Sequence, residues 1–236
     1  MLKGRSRLVV GRMSAVAQAL ILLPLCLDAN AGGDAVVRVE GASPTPAWAG
    51  GELAASPFLT AARQGILPVL EKLGTGMYAV RVDIAGNIDR LESAVKEHGS
   101  DGGLLYNVVR REMNANAHAD SRSSTKALLW LKRALQFMSA MLRLVVREDP
   151  LEVSVAASQV YEQTLKRYHG FLTRTAFSAA LNFVPTRAAF IEQAGDGQAA
   201  EETIAQLREL VAALDPVLEH VHGFLDAHGL DDPAVV

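Results

Sequence analysis

The chain has 236 residues, 50% of them apolar, and a formal charge of −3 with an isoelectric point near 6.1. Such a chain supplies one full core plus an N-terminal extension, and its charge excludes the broad basic field that drives nucleic-acid binding. The single cysteine, Cys26, excludes an intrachain disulfide framework and a cysteine-based zinc site.

Lys3, Arg5, Arg7 and Arg12 precede an apolar run from Met13 to Leu27, and Ala29-Asn30-Ala31 offers small residues two apart. Residues 1–31 therefore read as a secretory signal peptide, with an organelle transit peptide or a misplaced start codon as alternatives. The run is shorter than the roughly 20 apolar residues of a membrane-spanning helix. Residues 32–51, rich in Gly, Ala, Pro and Ser with one candidate strand at Ala35 to Val39, read as a linker. The folded domain is expected over residues 52–236.

From Ser56 onward the apolar spacing is helical. Ser56 is placed to cap a first helix with Pro57 at its first position, carrying Phe58, Leu59, Ala62, Ile66, Leu70 and Leu73 to a stop at Gly74, with a kink at Pro68. Further helices are expected over Tyr78 to His98, Leu104 to Ala117 and, after Ser121, Ser123 and Ser124, a long one to about Arg147 before Asp149-Pro150. Others fit Pro150 to Arg167, Tyr168 to Phe183, Thr186 to Gln193, Ala199 to Leu214 and Pro216 to His228. With no sustained strand alternation, the class is all-α, about eight helices layered on one another.

Catalytic motifs give little. Gly74-Thr75-Gly76-Met77-Tyr78-Ala79 matches a loose dinucleotide string but follows a helix and opens no βαβ unit, so a helix stop and turn is the better reading. Glu219 and His222 have the spacing of a di-iron pair with no second pair to complete it. The sequence contains no phosphate-binding loop of the Walker type and no metalloprotease or nucleophile-elbow motif.

Three segments carry more. Asp83, Asn87 and Arg90 fall on one helix face, while Val80, Ile84, Ile88, Leu91 and Val95 form a core stripe. Trp130 and Arg133 lie on the long helix beside a packing stripe, and His169 follows Tyr168. Taken singly, a solvated face, a core tryptophan and a structural histidine account for each.

Their order and wording resemble the glycolipid transfer protein family. The resemblance is carried by Ser56-Pro57-Phe58-Leu59, Asp83-Ile84-Ala85-Gly86-Asn87-Ile88, Leu128-Leu129-Trp130-Leu131-Lys132-Arg133, Tyr161-Glu162 to Tyr168-His169-Gly170, and Ala179-Ala180-Leu181 to Pro185. It implies a two-layer all-α sandwich that moves one sphingolipid between membranes, with no enzyme activity, cofactor or metal. By the same resemblance Asp83 accepts from the ceramide amide, His169 donates to its carbonyl, Asn87 bonds sugar hydroxyls and Trp130 stacks on the sugar ring. Arg90 stands where lysine is usual, and Lys126 and Arg133 are additional headgroup candidates.

The branch that binds ceramide phosphate has arginine where this chain has Trp130, so a glycosylceramide is favoured, with a phosphosphingolipid as the alternative. A sixteen-carbon chain exposed to water costs on the order of 12 kcal/mol, at roughly 0.8 per methylene. Transfer therefore needs an apolar sheath, and Phe58, Leu59, Leu128, Phe137, Leu172, Phe177, Leu181 and Phe183 are its candidates, each equally able to be ordinary core.

Phe171, where relatives often have tryptophan, is expected to touch the bilayer with Tyr161 and Lys166 nearby. The segment Gly229 to Val236 lacks the terminal aromatic that helps close the site in relatives. A non-transferring lipid sensor and a hydrolase built on His169 and Asp83 are the competing functions. The expected partner is one sphingolipid and a transient membrane surface, with the chain a monomer. Location is expected at cytosolic membrane faces by resemblance, and in the secretory route or an organelle by residues 1–31.

Overall fold

The computed structural model describes Leu27, residues 51–98 and residues 103–235. The targeting segment apart from Leu27, the linker through residue 50 with its candidate strand, and Gly99 lie outside the described residues. Within the described part, α1 (Ala55–Thr60) runs through a π-helical turn (Ala61–Ile66) into α2 (Leu67–Glu71). The remaining helices are α3 (Tyr78–Glu97), α4 (Leu105–Asn114), α5 (Ser124–Val146), α6 (Val153–Gln163), α7 (Phe171–Ala180), α8 (Arg187–Gly195) and α9 (Ala200–Ala227). Among the described residues β-pairing is limited to one isolated bridge between Ala54 and Leu104. With α1 and α2 counted as one bent rod, the expected all-helical sandwich of about eight helices is what forms.

Local chemistry differs from expectation at both prolines. The first helix begins one residue before Ser56, with Ala54 at the cap position and no side-chain cap bond. Pro68, where a kink was expected, falls just after the π turn, in the first turn of α2, where a missing N–H is tolerated. Pro216 does not divide the last helix, since α9 continues through it. There Val211, Leu214, Val217, Leu218 and Val221 make a continuous buried stripe. The Asp215 carboxylate is held from α5 by Ser139 Oγ at 2.6 Å and by the Arg143 guanidinium, so tertiary packing overrides a local breaker.

Helix α5 is the centre of the molecule and is buried along almost its whole length. At 100° per residue, Trp130 and Ala134 occupy one of its faces and Lys132 and Ser139 the opposite one. The first face meets the pocket described below, and the second meets α9 through His222 and Asp215. On α3, Ile84, Ile88 and Leu91 are fully buried as the apolar stripe requires. Arg63 clamps α3 to the π turn, with Nε 2.8 Å from Glu92 and a second nitrogen 2.5 Å from Asp89.

The start of α5 is capped twice. Ser123 Oγ accepts from the Lys126 backbone N–H at 3.1 Å. The Glu112 carboxylate, from α4, accepts from the backbone N–H groups of Ser124 (2.6 Å) and Thr125 (2.8 Å) and from Thr125 Oγ1 (2.7 Å). An anion at the positive end of a buried helix satisfies orphan donors and the helix dipole together. Glu112→Ala is therefore expected to destabilise the fold by about 2 kcal/mol or more, read as a lower denaturant midpoint, whereas Glu112→Gln, which keeps one acceptor, loses less.

Candidate functional site

The helical phase of α3 sends Asp83, Asn87 and Arg90 toward one side. There they join Trp130 of α5 and His169, which precedes α7, in lining a single open pocket of about 470 Å3, a size usual for ligand sites. Its remaining wall is largely apolar, formed by Ala79, Val80, Ala134, Leu165, Ala176, Phe177 and Ala180. Polar groups thus meet small and apolar side chains in one concavity.

His169 reaches the pocket because the helix expected over Tyr168 to Phe183 does not form as one piece. A 3-10 turn (Lys166–Tyr168) is followed by extended backbone at His169, and α7 starts only at Phe171. Arg174 Nε ties the break by donating to the carbonyls of His169 (2.6 Å) and Lys166 (3.1 Å). The imidazole lies nearly parallel to the Trp130 indole, with centroids 5.7 Å apart at 16°. Its Nδ1 is 3.0 Å from the Tyr161 hydroxyl. Burial and the neighbouring Arg174 guanidinium hold its pKa below the ordinary histidine value, so the ring is neutral at pH 7.

On the facing helix the buried Asn87 donates through Nδ2 to Asp83 Oδ2 at 3.3 Å. Asp83 is solvent-exposed at the pocket, which it helps to line. Partial desolvation still pushes its carboxyl up, against the opposing pull of Arg90 and the Asn87 hydrogen bond. Among the described residues the Arg90 side chain makes no hydrogen bond. A carboxylate, an amide, a guanidinium, an imidazole and an indole edge can together recognise a neutral polar headgroup and an adjoining amide.

The other candidates go elsewhere. Arg133 is buried, 2.9 Å from Asp231 and 2.6 Å from the Asp232 carbonyl, with its guanidinium 3.5 Å above the Tyr168 ring. Lys126 is paired with the Asp232 carboxylate. Neither lines the pocket, because the C-terminal segment answers both charges. Without a terminal aromatic, that segment docks through Leu230, buried in the core, and these two aspartates.

Of the sheath candidates, Phe58, Leu59, Leu128 and Phe137 are packed in the core, and Leu181 is partly buried against it. Phe177 alone lines the pocket. Leu172 and Phe183 differ from expectation, since they are 81% and 68% exposed. Phe171 is 80% exposed, and Lys166 is in an ion pair with Glu162 at 2.6 Å. Tyr161 is not a surface residue. It is 3% exposed, with its ring stacked on Phe177 at 3.8 Å.

Sequence reasoning missed Tyr78 and Val82, which stand exposed on α3 next to the pocket residues Ala79 and Asp83. Two large apolar residues one turn apart, outside the stripe of Ile84, Ile88 and Leu91, were the available clue. It also missed Gly76, where an added Cβ would lie 2.3 Å from the Ala180 carbonyl. Only glycine lets the 3-10 turn before α3 touch the end of α7. Among the described residues no helix is long and apolar enough to cross a membrane, and no group of three or more His, Cys, Asp and Glu residues could hold a metal ion.

Comparison with known proteins bears on the family and the fold. The family model described as glycolipid transfer protein matches residues 53–196. Glycolipid transfer protein 1 of Arabidopsis thaliana is 35% identical over 183 residues, covering 77% of this chain and 88% of that protein. Other matching relatives are longer: the chain spans about a third (34%) of the human pleckstrin homology domain-containing family A member 8. Among solved structures, the one showing how FAPP2 selects simple glycosphingolipids using the GLTP fold has a TM-score of 0.72 at 28% identity, covering 80% of this chain and 93% of that one. Human ceramide-1-phosphate transfer protein in complex with 12:0 ceramide-1-phosphate has a TM-score of 0.72 at 21% identity, covering 91% and 96%, a likeness of fold alone.

The raised pKa of Asp83 has a stability consequence. A carboxyl whose folded pKa exceeds its unfolded value opposes folding when ionised, and the penalty vanishes once both states are protonated. Asp83→Asn is expected to raise the melting temperature slightly at pH 7, with the difference from the native chain closing below about pH 4, in paired thermal melts.

Proposed function

We propose that this chain, which belongs to the glycolipid transfer protein family, takes up one sphingolipid and carries it between membranes without chemical change, and that its preferred headgroup is a sugar. The observation that carries this reading is the convergence of Asp83, Asn87, Arg90, Trp130 and His169, from three separate parts of the chain, on one pocket with an apolar wall. In this arrangement Asp83 accepts from the sphingolipid amide N–H and neutral His169 donates to its carbonyl. Asn87 and Arg90 bond hydroxyls, and Trp130 offers an indole face to the sugar ring.

Charge balance favours sugar over phosphate. Within the pocket Asp83 and Arg90 cancel, while Lys126 and Arg133 are already engaged by Asp232 and Asp231. A phosphate would need charge-assisted donors that the site keeps elsewhere. The relatives described as a glycolipid transfer protein and as selecting simple glycosphingolipids support the same choice.

Membrane contact falls to the exposed apolar residues Phe171, Leu172, Phe183, Tyr78 and Val82, of which Tyr78 and Val82 adjoin the pocket residues Ala79 and Asp83 in sequence. In α7 only Phe177 is buried. A helix so lightly held can move aside at low cost to admit acyl chains.

In a vesicle assay, the native chain is expected to transfer a fluorescent glycosylceramide faster than the matching ceramide 1-phosphate. Asp83→Val and Trp130→Ala should each slow glycosylceramide transfer on the order of tenfold or more while leaving helicity unchanged. Equal transfer by native and variant chains would overturn the site assignment, and faster transfer of ceramide 1-phosphate would overturn the headgroup choice.

The place of action we propose is the cytosolic face of membranes, with the chain acting as a monomer. Residues 1–31 pull the other way, toward the secretory route or an organelle. A tagged full-length chain compared with one starting at Gly51 is expected to give the same cytosolic distribution; import of the longer form alone would reverse that assignment.

A further inference from the structure

Tyr161 sits where its hydroxyl can decide which nitrogen of His169 carries the proton. It is almost fully buried, and its Oη lies 3.0 Å from His169 Nδ1. A phenol brings one proton of its own, which needs an acceptor. Among the described residues His169 Nδ1 is the only partner that hydroxyl has. If Nδ1 carried the proton and donated to the phenol oxygen, the phenol O–H would be left buried with no acceptor, which is unfavourable. The opposite arrangement satisfies both atoms of the contact: Tyr161 donates, Nδ1 accepts, and the imidazole proton resides on Nε2.

We propose that Tyr161 is a positioning residue that fixes His169 as the Nε2–H tautomer and so turns the pocket's imidazole into a committed donor. The proposal rests on the reading of His169 as the donor to the ligand's carbonyl. That role needs a proton at the nitrogen left free by Tyr161, and the hydrogen bond at Nδ1 ensures it.

The surroundings agree. Burial pushes the Tyr161 phenol up, so it keeps its proton throughout the physiological range. The charged groups facing the pair are Arg174 from α7 and Glu162 from α6; the cation acts with burial to keep the imidazole neutral. The rings are fixed as well. Tyr161 stacks on Phe177 at 3.8 Å and 11°, and the His169 ring lies against Trp130. Specificity for an amide-linked lipid thus depends on a residue that need not touch the ligand.

The test uses full-length protein labelled with nitrogen-15 at histidine, in the native chain and in Tyr161→Phe, which keeps the stacked ring. In the native chain His169 Nδ1 should show the shift of an unprotonated nitrogen and Nε2 that of an N–H, without any lipid added. In Tyr161→Phe the Nδ1 resonance should move toward that of a mixed tautomer, and the His169 pKa should rise, because the donor favouring the neutral ring is gone. Glycosylceramide affinity, measured with vesicles, should fall on the order of two- to tenfold, at unchanged melting cooperativity.

A proton on Nδ1 in the native chain, or a His169 signature unaltered by Tyr161→Phe, would overturn the proposal. So would unchanged glycosylceramide affinity in Tyr161→Phe when Trp130→Ala abolishes it. A native chain that binds no glycosylceramide would instead overturn the lipid reading, and the tautomer would still be decided by the spectrum.

Discussion

Burying Lys132 and Arg133 inside α5 is the constraint on which the rest of the molecule turns. They are 2% and 3% exposed, and an unpaired charge in such a place costs several kcal/mol. The C-terminal segment supplies the answer, with Asp231 lying 3.3 Å from Lys132 and 2.9 Å from Arg133. Burial alone would raise the Asp231 carboxyl, yet the two cations hold it below the usual carboxylate range. Burial pushes Lys132 down, against the pull of the same carboxylate. Lys132 lies on the face of α5 opposite Trp130 and Ala134, and Arg133, whose guanidinium is 5.3 Å from the Trp130 ring, is drawn to the C-terminal aspartates instead of into the pocket. Removal of positive charge from the pocket and anchoring of the C-terminus are one event.

Much of this was legible in the residues. Helix positions followed from apolar spacing, and the shared face of Asp83, Asn87 and Arg90 followed from helical phase. The meeting of that face with Trp130 and His169 could not come from spacing, because the three lie on elements separated by tens of residues; it needed the resemblance of the ordered segments to a known family. Where the reading differed from the structure, a long-range contact had overruled a local rule. Lys126 and Arg133 look available in a local window and are taken by aspartates about 100 residues later. Pro216 looks like a break and is bridged by the packing of α9 on α5. Tyr161 looks like a surface aromatic and is covered by Phe177.

Leu172 and Phe183 mark the opposite failure. Large apolar residues are usually inside, so assigning them to a sheath was the natural inference, yet both stand in solvent with Phe171. Large apolar residues exposed at the start of α7 and just beyond its end, on an otherwise well-packed fold, point to a surface that meets something apolar. Its location around α7 matters as much as its composition, since α7 is also the least buried helix wall of the pocket. Surface and pocket are joined by one lightly held element.

The inner side of that element shows how selectivity and movement are linked. Tyr161 touches Phe177 with its ring and His169 with its hydroxyl, while Arg174 of α7 holds the His169 carbonyl. Gly76 lets the end of α7 rest directly against the turn that starts α3. An outward shift of α7 therefore acts on the apolar wall, on the support of the imidazole and on the helix carrying Asp83 at once. Polar recognition and apolar capacity cannot vary independently in such a site: the contacts that orient the donor are the contacts that acyl chains would have to displace.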